Sequence, residues 1–292
     1  MQTTSVSAHA TASTSRPTPG ATRVVIRPGR GLFALDLAGL WEFREILYFL
    51  VWRDIKLRYK QTAIGAAWAI LQPLATMAIF TVIFGHLAKI PSDGLPYAIF
   101  CFTGLLPWTY FSQAIARSGA SVVGDANLIK KVYFPRLLIP IAAVLSPLVD
   151  FLISFVFLLG MVAWFGIRPG WNMVGLPFFL ALAMITALAA GLWLSALNVK
   201  YRDVGHTLPF LIQIWLYASP VAYSVALIPE KWRLVYGLNP MAGVIEGFRW
   251  ALLHTDRPAL GVIAMSTVVV LMLLIGGVMF FKHFERSFAD VI

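Results

Sequence analysis

The stretch PALGVIAMSTVVVLMLLIGGVMFF, residues 258–281, carries no charged side chain and no alternation of apolar with polar positions. About 20 apolar helical residues cross the hydrocarbon core of a bilayer. In lipid only helices and closed barrels satisfy every backbone N–H and C=O, and a barrel strand needs a period of two that is absent here. The stretch therefore predicts a transmembrane helix. Five runs of the same kind precede it, at residues 64–84, 95–116, 137–167, 173–199 and 207–229, and Asp150 is the one charged residue among them. Together the runs predict an all-α membrane protein with six transmembrane helices.

Composition agrees. Of 292 residues, 59% are hydrophobic and 12% charged, whereas a soluble domain carries roughly twice that charged share. A net charge of +10 would suit a nucleic-acid partner, but its distribution argues otherwise. With both termini in the cytoplasm, 17 of the 23 lysines and arginines fall on the inner side, which is the positive-inside pattern. The surplus is a topology signal, and no nucleic-acid partner is expected. The single cysteine, Cys101, excludes an intrachain disulfide, and the histidines are too scattered for a metal site. There is no Gly-x-x-x-x-Gly-Lys phosphate loop, since the dipeptide Gly-Lys does not occur. Uphill transport would then draw on an ion gradient or on a partner chain. Asp150 is little for a gradient-driven carrier, which places ionisable residues within its spans. It reads either as a proton relay or, preferably, as a carboxylate hydrogen-bonded between helices.

Outside the runs the chain has distinct textures. Residues 1–36 are rich in Thr, Ser, Ala, Pro and Gly without an apolar signal core, which predicts a disordered cytoplasmic tail. Between residues 40 and 60, Glu42, Glu45, Arg53, Lys56 and Lys60 share one helical stripe, with Trp41, Ile46, Leu47, Leu50 and Ile55 mostly off it. That pattern fits an N-terminal interfacial helix on the cytoplasmic leaflet, or a cytoplasmic helix packed on a partner. Between the second and third runs, Asp125 or Asn127 can cap a short helix that Pro135 ends. Leu128, Ile129, Val132 and Tyr133 give this helix an apolar side next to Lys130 and Lys131. It reads as a docking element or as an interfacial turn. Between the fifth and sixth runs, residues 234–245 are uncharged, too short to span, and broken by Asn239-Pro240. That suggests a re-entrant outer hairpin, with Glu246 and Arg249 close enough in register to pair. Aromatic residues make up 14% of the chain. Some form interfacial belts, while Trp68, Phe80, Phe84, Trp108, Trp215, Tyr217 and Tyr223 are candidates to line a passage for sugars.

Several blocks resemble a known family. These are RDIKLRYKQT at 53–62, GAAW at 65–68, ILQP at 70–73, NLIKKVYFP at 127–135, NVKYRD at 198–203, SPVAY at 219–223 and Asn239-Pro240. In this order they resemble the ABC-2 type permeases of polysaccharide export, over roughly residues 37–285 of a transmembrane domain at residues 37–292. The resemblance implies a homodimer joined to two copies of a separate ATP-binding subunit, exporting lipid-linked glycan such as O-antigen, capsule or teichoic acid across the bacterial inner membrane. It implies that this chain binds no cofactor, ATP and Mg being used by the partner. Asn127, Leu128, Ile129, Lys130, Lys131 and Tyr133 would dock on the ATPase, with Tyr201, Arg202 and Asp203 near the same partner. Arg53, Lys56, Arg58 and Lys60 would attract the lipid phosphate, and Asn239, Pro240, Glu246 and Arg249 would belong to the outer gate. The alternative within transport is an ABC-2 exporter of another lipid or a drug-like substrate. A membrane-embedded transferase would need clustered Asp, Glu or His at a membrane face, which this sequence lacks, and a passive anchor would show no transport.

Overall fold

The computed structural model describes residues 41–60, 65–168 and 170–285. The predicted tail and its boundary at residue 37 lie outside them. Every regular element among the described residues is helical. Helix α1 (Arg44–Tyr59) precedes α2 (Trp68–Phe80), which continues as a wide π-helical segment, Thr81–Leu87. The long α3 (Tyr97–Gly124) leads through Asp125 into the short α4 (Ala126–Lys131). Then come α5 (Leu138–Leu145), α6 (Leu148–Trp164), α7 (Leu176–Lys200) and α8 (Asp203–Ala218). A pair of helices, α9 (Glu230–Tyr236) and α10 (Pro240–Leu253), precedes the last one, α11 (Leu260–Glu285).

Among the described residues, four segments are long and apolar enough to cross a membrane: Gly65–Leu87, Leu138–Trp164, Trp171–Lys200 and Leu260–Glu285. The other two predicted runs differ, each for a local reason. The second becomes α3, 28 residues long but less apolar than those four. It lies at the centre of the bundle, packed on α7 above all and also on α2, α5, α6, α8 and α10. Its neighbours are protein side chains, so polar residues such as Thr103 and Ser118 are accommodated there, fully buried. The fifth run is not one helix, because α8 stops after 16 residues at Ala218. Ser219 precedes Pro220 and takes extended backbone angles, as a residue before proline prefers. The third run is interrupted at Ser146–Pro147, which separates α5 from α6 and places Asp150 in the first turn of α6.

Small residues set the closest helix crossings, as expected where lipid offers no hydrophobic drive. A Cβ on Gly191 of α7 would stand 2.2 Å from Ser118 Oγ of α3, and one on Gly277 of α11 would stand 2.9 Å from the Ala189 carbonyl of α7. Buried polar side chains donate to carbonyls of neighbouring helices: Ser154 to Ala69 at 2.6 Å, Tyr110 to Val144 at 3.0 Å and Trp193 to Leu273 at 3.0 Å. Each removes the cost of an unpaired polar atom in an apolar setting.

Helices α3 and α7 carry their C-terminal ends to one pole. There Asn198 donates to the Gly119 carbonyl (3.1 Å) and accepts from the Gly205 amide (3.1 Å), tying α3, α7 and α8 together. Arg136 donates to the Glu285 carbonyl at the same pole, so α4, the α7–α8 turn and the end of α11 lie close to one another. The opposite pole gathers residues 221–228, α9, the start of α3 and Arg168, joined by bonds such as Tyr97 to the Ala222 carbonyl (2.6 Å) and the His254 ring to the Arg168 carbonyl (2.7 Å).

Candidate functional site

At the first pole, α4 shows two faces. Leu128 and Ile129 turn inward, half-buried against the cluster of Leu50, Phe134, Leu138, Ile139 and Ala142. Asn127, Lys130 and Lys131 are exposed, as is Tyr133 beyond the helix, with 74% of its surface open. The predicted docking set therefore divides. Leu128 and Ile129 hold α4 onto its own chain, and the polar residues with Tyr133 face outward. Tyr201, Arg202 and Asp203 are exposed at the α7–α8 turn of the same pole, with the Lys200 ammonium 5.1 Å from the Tyr201 ring centre.

The four cations expected to collect phosphate also divide. Arg53 bridges Asp54 and Asp125, both at 2.8 Å. Arg58 lies 2.6 Å from Asp150 Oδ2, a contact that is ionic rather than directional, and donates to Gln113 at 3.0 Å. Tyr59 donates to the other Asp150 oxygen. Burial, and then this hydrogen bond, push the Tyr59 phenol up to about 12, so it stays protonated and keeps donating. Two of the four are thus committed to carboxylates, while Lys56 and Lys60 are exposed with no ion pair among the described residues. Asp150 is bonded between α1 and α6, in line with its structural reading. Asp125 stands at the N-cap of α4 with its carboxylate turned to Arg53 instead of the helix amides. Sequence reasoning left Asp54, Tyr59, Gln113 and Asp125 out of the site. The available signal was that a buried carboxylate at Asp150 requires a cation, and the nearest basic surplus lies in α1.

At the opposite pole, Asn239 explains the Asn-Pro pair. Its side-chain oxygen accepts from the Met241 amide (3.1 Å), capping α10, and Pro240 stands at the first turn, where no N–H is needed. The same oxygen accepts from the Trp215 indole (2.9 Å), and the amide nitrogen donates to the Ala218 carbonyl (3.1 Å) and Ser219 Oγ (3.0 Å), closing the end of α8. The expected Glu246–Arg249 pair does not form. Arg249, 3% exposed, donates to the carbonyls of Val221 (2.8 Å), Tyr223 (3.2 Å) and Phe100 (3.4 Å), with its guanidinium 3.6 Å from the Phe100 ring centre. The guanidinium is instead held by three convergent main-chain carbonyls. Most of α10 is buried against α3 and α7, so the hairpin's second helix is part of the core.

The candidate channel aromatics are dispersed. Trp108 is 4% exposed within the core of this chain. It packs on Phe111, whose ring meets Trp215 edge-on at 4.9 Å. Phe80 and Phe84 meet edge-on at 5.2 Å along the first span. Trp68 and Tyr217 are more than half exposed. Tyr223 lies 2.8 Å from the Tyr236 hydroxyl. Trp215, Trp232, Tyr236 and Asn239 line an open cleft of about 510 Å³ beside the hairpin. Its Trp215 and Tyr236 donors are already committed within the chain, Tyr236 to the Ala218 carbonyl at 3.0 Å.

Residues 45–253 match the family described as ABC-2 type transporter. The chain is 30% identical over 239 residues to the O-antigen export system permease protein RfbA of Myxococcus xanthus, covering 79% of this chain and 90% of that protein. It is 27% identical over 254 residues to RfbA of Klebsiella pneumoniae, covering 85% and 95%. The polysialic acid transport protein KpsM of Escherichia coli is 26% identical over 230 residues, covering 75% and 86%. In this family the ATPase activity resides in a separate subunit. A helical membrane chain without a phosphate loop, matched across most of its length, belongs to the ABC-2 type transporter family.

Proposed function

We propose that this chain is the membrane permease of an ATP-driven exporter that moves lipid-linked polysaccharide across the bacterial inner membrane. The observation that carries the reading is its likeness, along most of both chains, to permeases of O-antigen export and polysialic acid transport. Two copies work with two ATP-binding subunits, which consume ATP with Mg. The crossings are α2, α3, α5 with α6, α7, α8 with the segment after it, and α11, with both termini cytoplasmic. The hairpin α9–α10 is the re-entrant outer gate. Helix α1 lies on the cytoplasmic leaflet, supported by the exposed Trp41, Tyr48, Phe49 and Trp52 along its outer side, a composition suited to the headgroup layer. The exposed part of α4, with Tyr201, Arg202 and Asp203, receives the ATPase.

The test is a deletion strain. Glycan accumulating inside the cell, cleared to the surface when the full chain is restored with its ATP-binding subunit, is the expected result. Normal surface glycan with altered export of another lipid or a drug would replace the substrate class. Lys131→Glu with Tyr133→Ala should abolish co-purification of the ATP-binding subunit.

A further inference from the structure

Helix α1 touches three elements that follow one another in chain order, α4, α5 and α6. Its Arg53 reaches Asp125 at the start of α4, at 2.8 Å. Leu50 is buried against α5, through Leu138, Ile139 and Ala142. Arg58 and Tyr59 hold Asp150 on α6, beyond the Ser146–Pro147 break. Helix α1 therefore lies as a splint across the break in the third run, and the same splint is clamped to α4. Its two clamps stand five residues apart on one continuous helix, so a displacement at the first reaches the second without an intervening hinge. The break itself has a further tie, Arg117 of α3 to Ser146 Oγ at 3.3 Å.

We propose that Arg53 and Asp125 are positioning residues that make α1 a strut, transmitting movement of α4 to the α5–α6 break through the Arg58–Asp150 clamp. The proposal rests on the reading of α4 as the ATPase dock, and gives Arg53 and Arg58 a mechanical task in place of phosphate recruitment. A strut needs both clamps closed. A broken clamp leaves the dock and the ATPase intact and disconnects them from the passage, so ATP is hydrolysed without export. Coupling of this kind requires an element that both sites bias, and α1 is the element in contact with each.

The experiment uses the full chain with its ATP-binding subunit, reading co-purification, ATP hydrolysis and surface glycan together. Arg53→Glu and Asp125→Arg should each lower surface glycan about tenfold, with co-purification and hydrolysis within about twofold of the parent. Combining the two restores the pair with reversed sign and should restore export. Asp150→Asn should give the same uncoupling, and adding it to Arg53→Glu should cost nothing further, because one line is cut twice. If a reversal fails to accumulate in the membrane, Arg53→Gln and Asp125→Asn carry the same non-additivity test against Asp150→Asn. Export unchanged in the single variants, no rescue in the swap of two accumulating reversals, or additive losses would overturn the strut. Intact co-purification in the Lys131→Glu, Tyr133→Ala variant would overturn the dock, and the strut with it.

Discussion

Arg249 is almost wholly enclosed, and each of the carbonyls it serves belongs to a segment that ends or turns beside α10. Removing the guanidinium leaves the Val221 and Tyr223 carbonyls, which lie outside any helix, without this donor in an apolar surrounding, at a cost on the order of 3 kcal/mol. Arg249→Met should therefore lower the unfolding temperature of the detergent-solubilised protein markedly. Arg249→Lys should recover less than half the loss, because an ammonium cannot fork toward several acceptors. The residue types were readable in advance, but the partners were not. The register of an i, i+3 pair pointed to Glu246, while the actual acceptors are main-chain groups brought from residues 100, 221 and 223. Main-chain acceptors leave no mark in a sequence.

Among the elements, the α3–α7 crossing depends on Gly191. An alanine there would push its methyl into Ser118, with 2.6 Å to that Cβ as well as 2.2 Å to Oγ, so truncating the serine would not relieve it. Gly191→Ala should cost about 1–3 kcal/mol, measured by thermal unfolding, and Gly191→Val more. Helix α10 carries a different sensitivity. Burial raises the Glu246 carboxyl to about 7, well above its ordinary value of 4.5. The folded hairpin thus prefers the protonated form. Its full stability is present below about pH 4.5 and declines as pH rises through about 7. Glu246→Gln should match the parent below about pH 4.5, exceed it increasingly up to about pH 7 and level off above that, and a pH series of unfolding temperatures for both proteins checks this. A constant gap at every pH would contradict it.

For the whole molecule, the two poles carry the clearest prediction. With the native Cys101 wholly buried, a cysteine placed at the exposed Tyr133 or Trp232 is the accessible thiol. Tyr133→Cys should react with an impermeant maleimide only in inside-out vesicles, and Trp232→Cys only in right-side-out cells. Labelling of both from one side would contradict the proposed six-crossing topology. The native Cys101 should react only after unfolding.

Charge-free runs such as 258–281 determined by themselves that the chain is a helical membrane protein, because lipid leaves the backbone no other solution. The clustering of basic residues and the ordered blocks from 53 to 240 likewise pointed to the orientation and the family. Asn239-Pro240, read along the chain as a break, in fact starts a helix, since a cap and its proline act within one turn. Only the tertiary structure decided which charges are available. Arg53 meets Asp125 across 72 positions of sequence, and Arg58 meets Asp150 across 92. Nor could hydropathy foresee that α3, the least lipid-like of the long helices, lies at the centre. Hydropathy measures what a surface would meet in lipid, whereas the surroundings of a helix in a bundle are chosen by its neighbours.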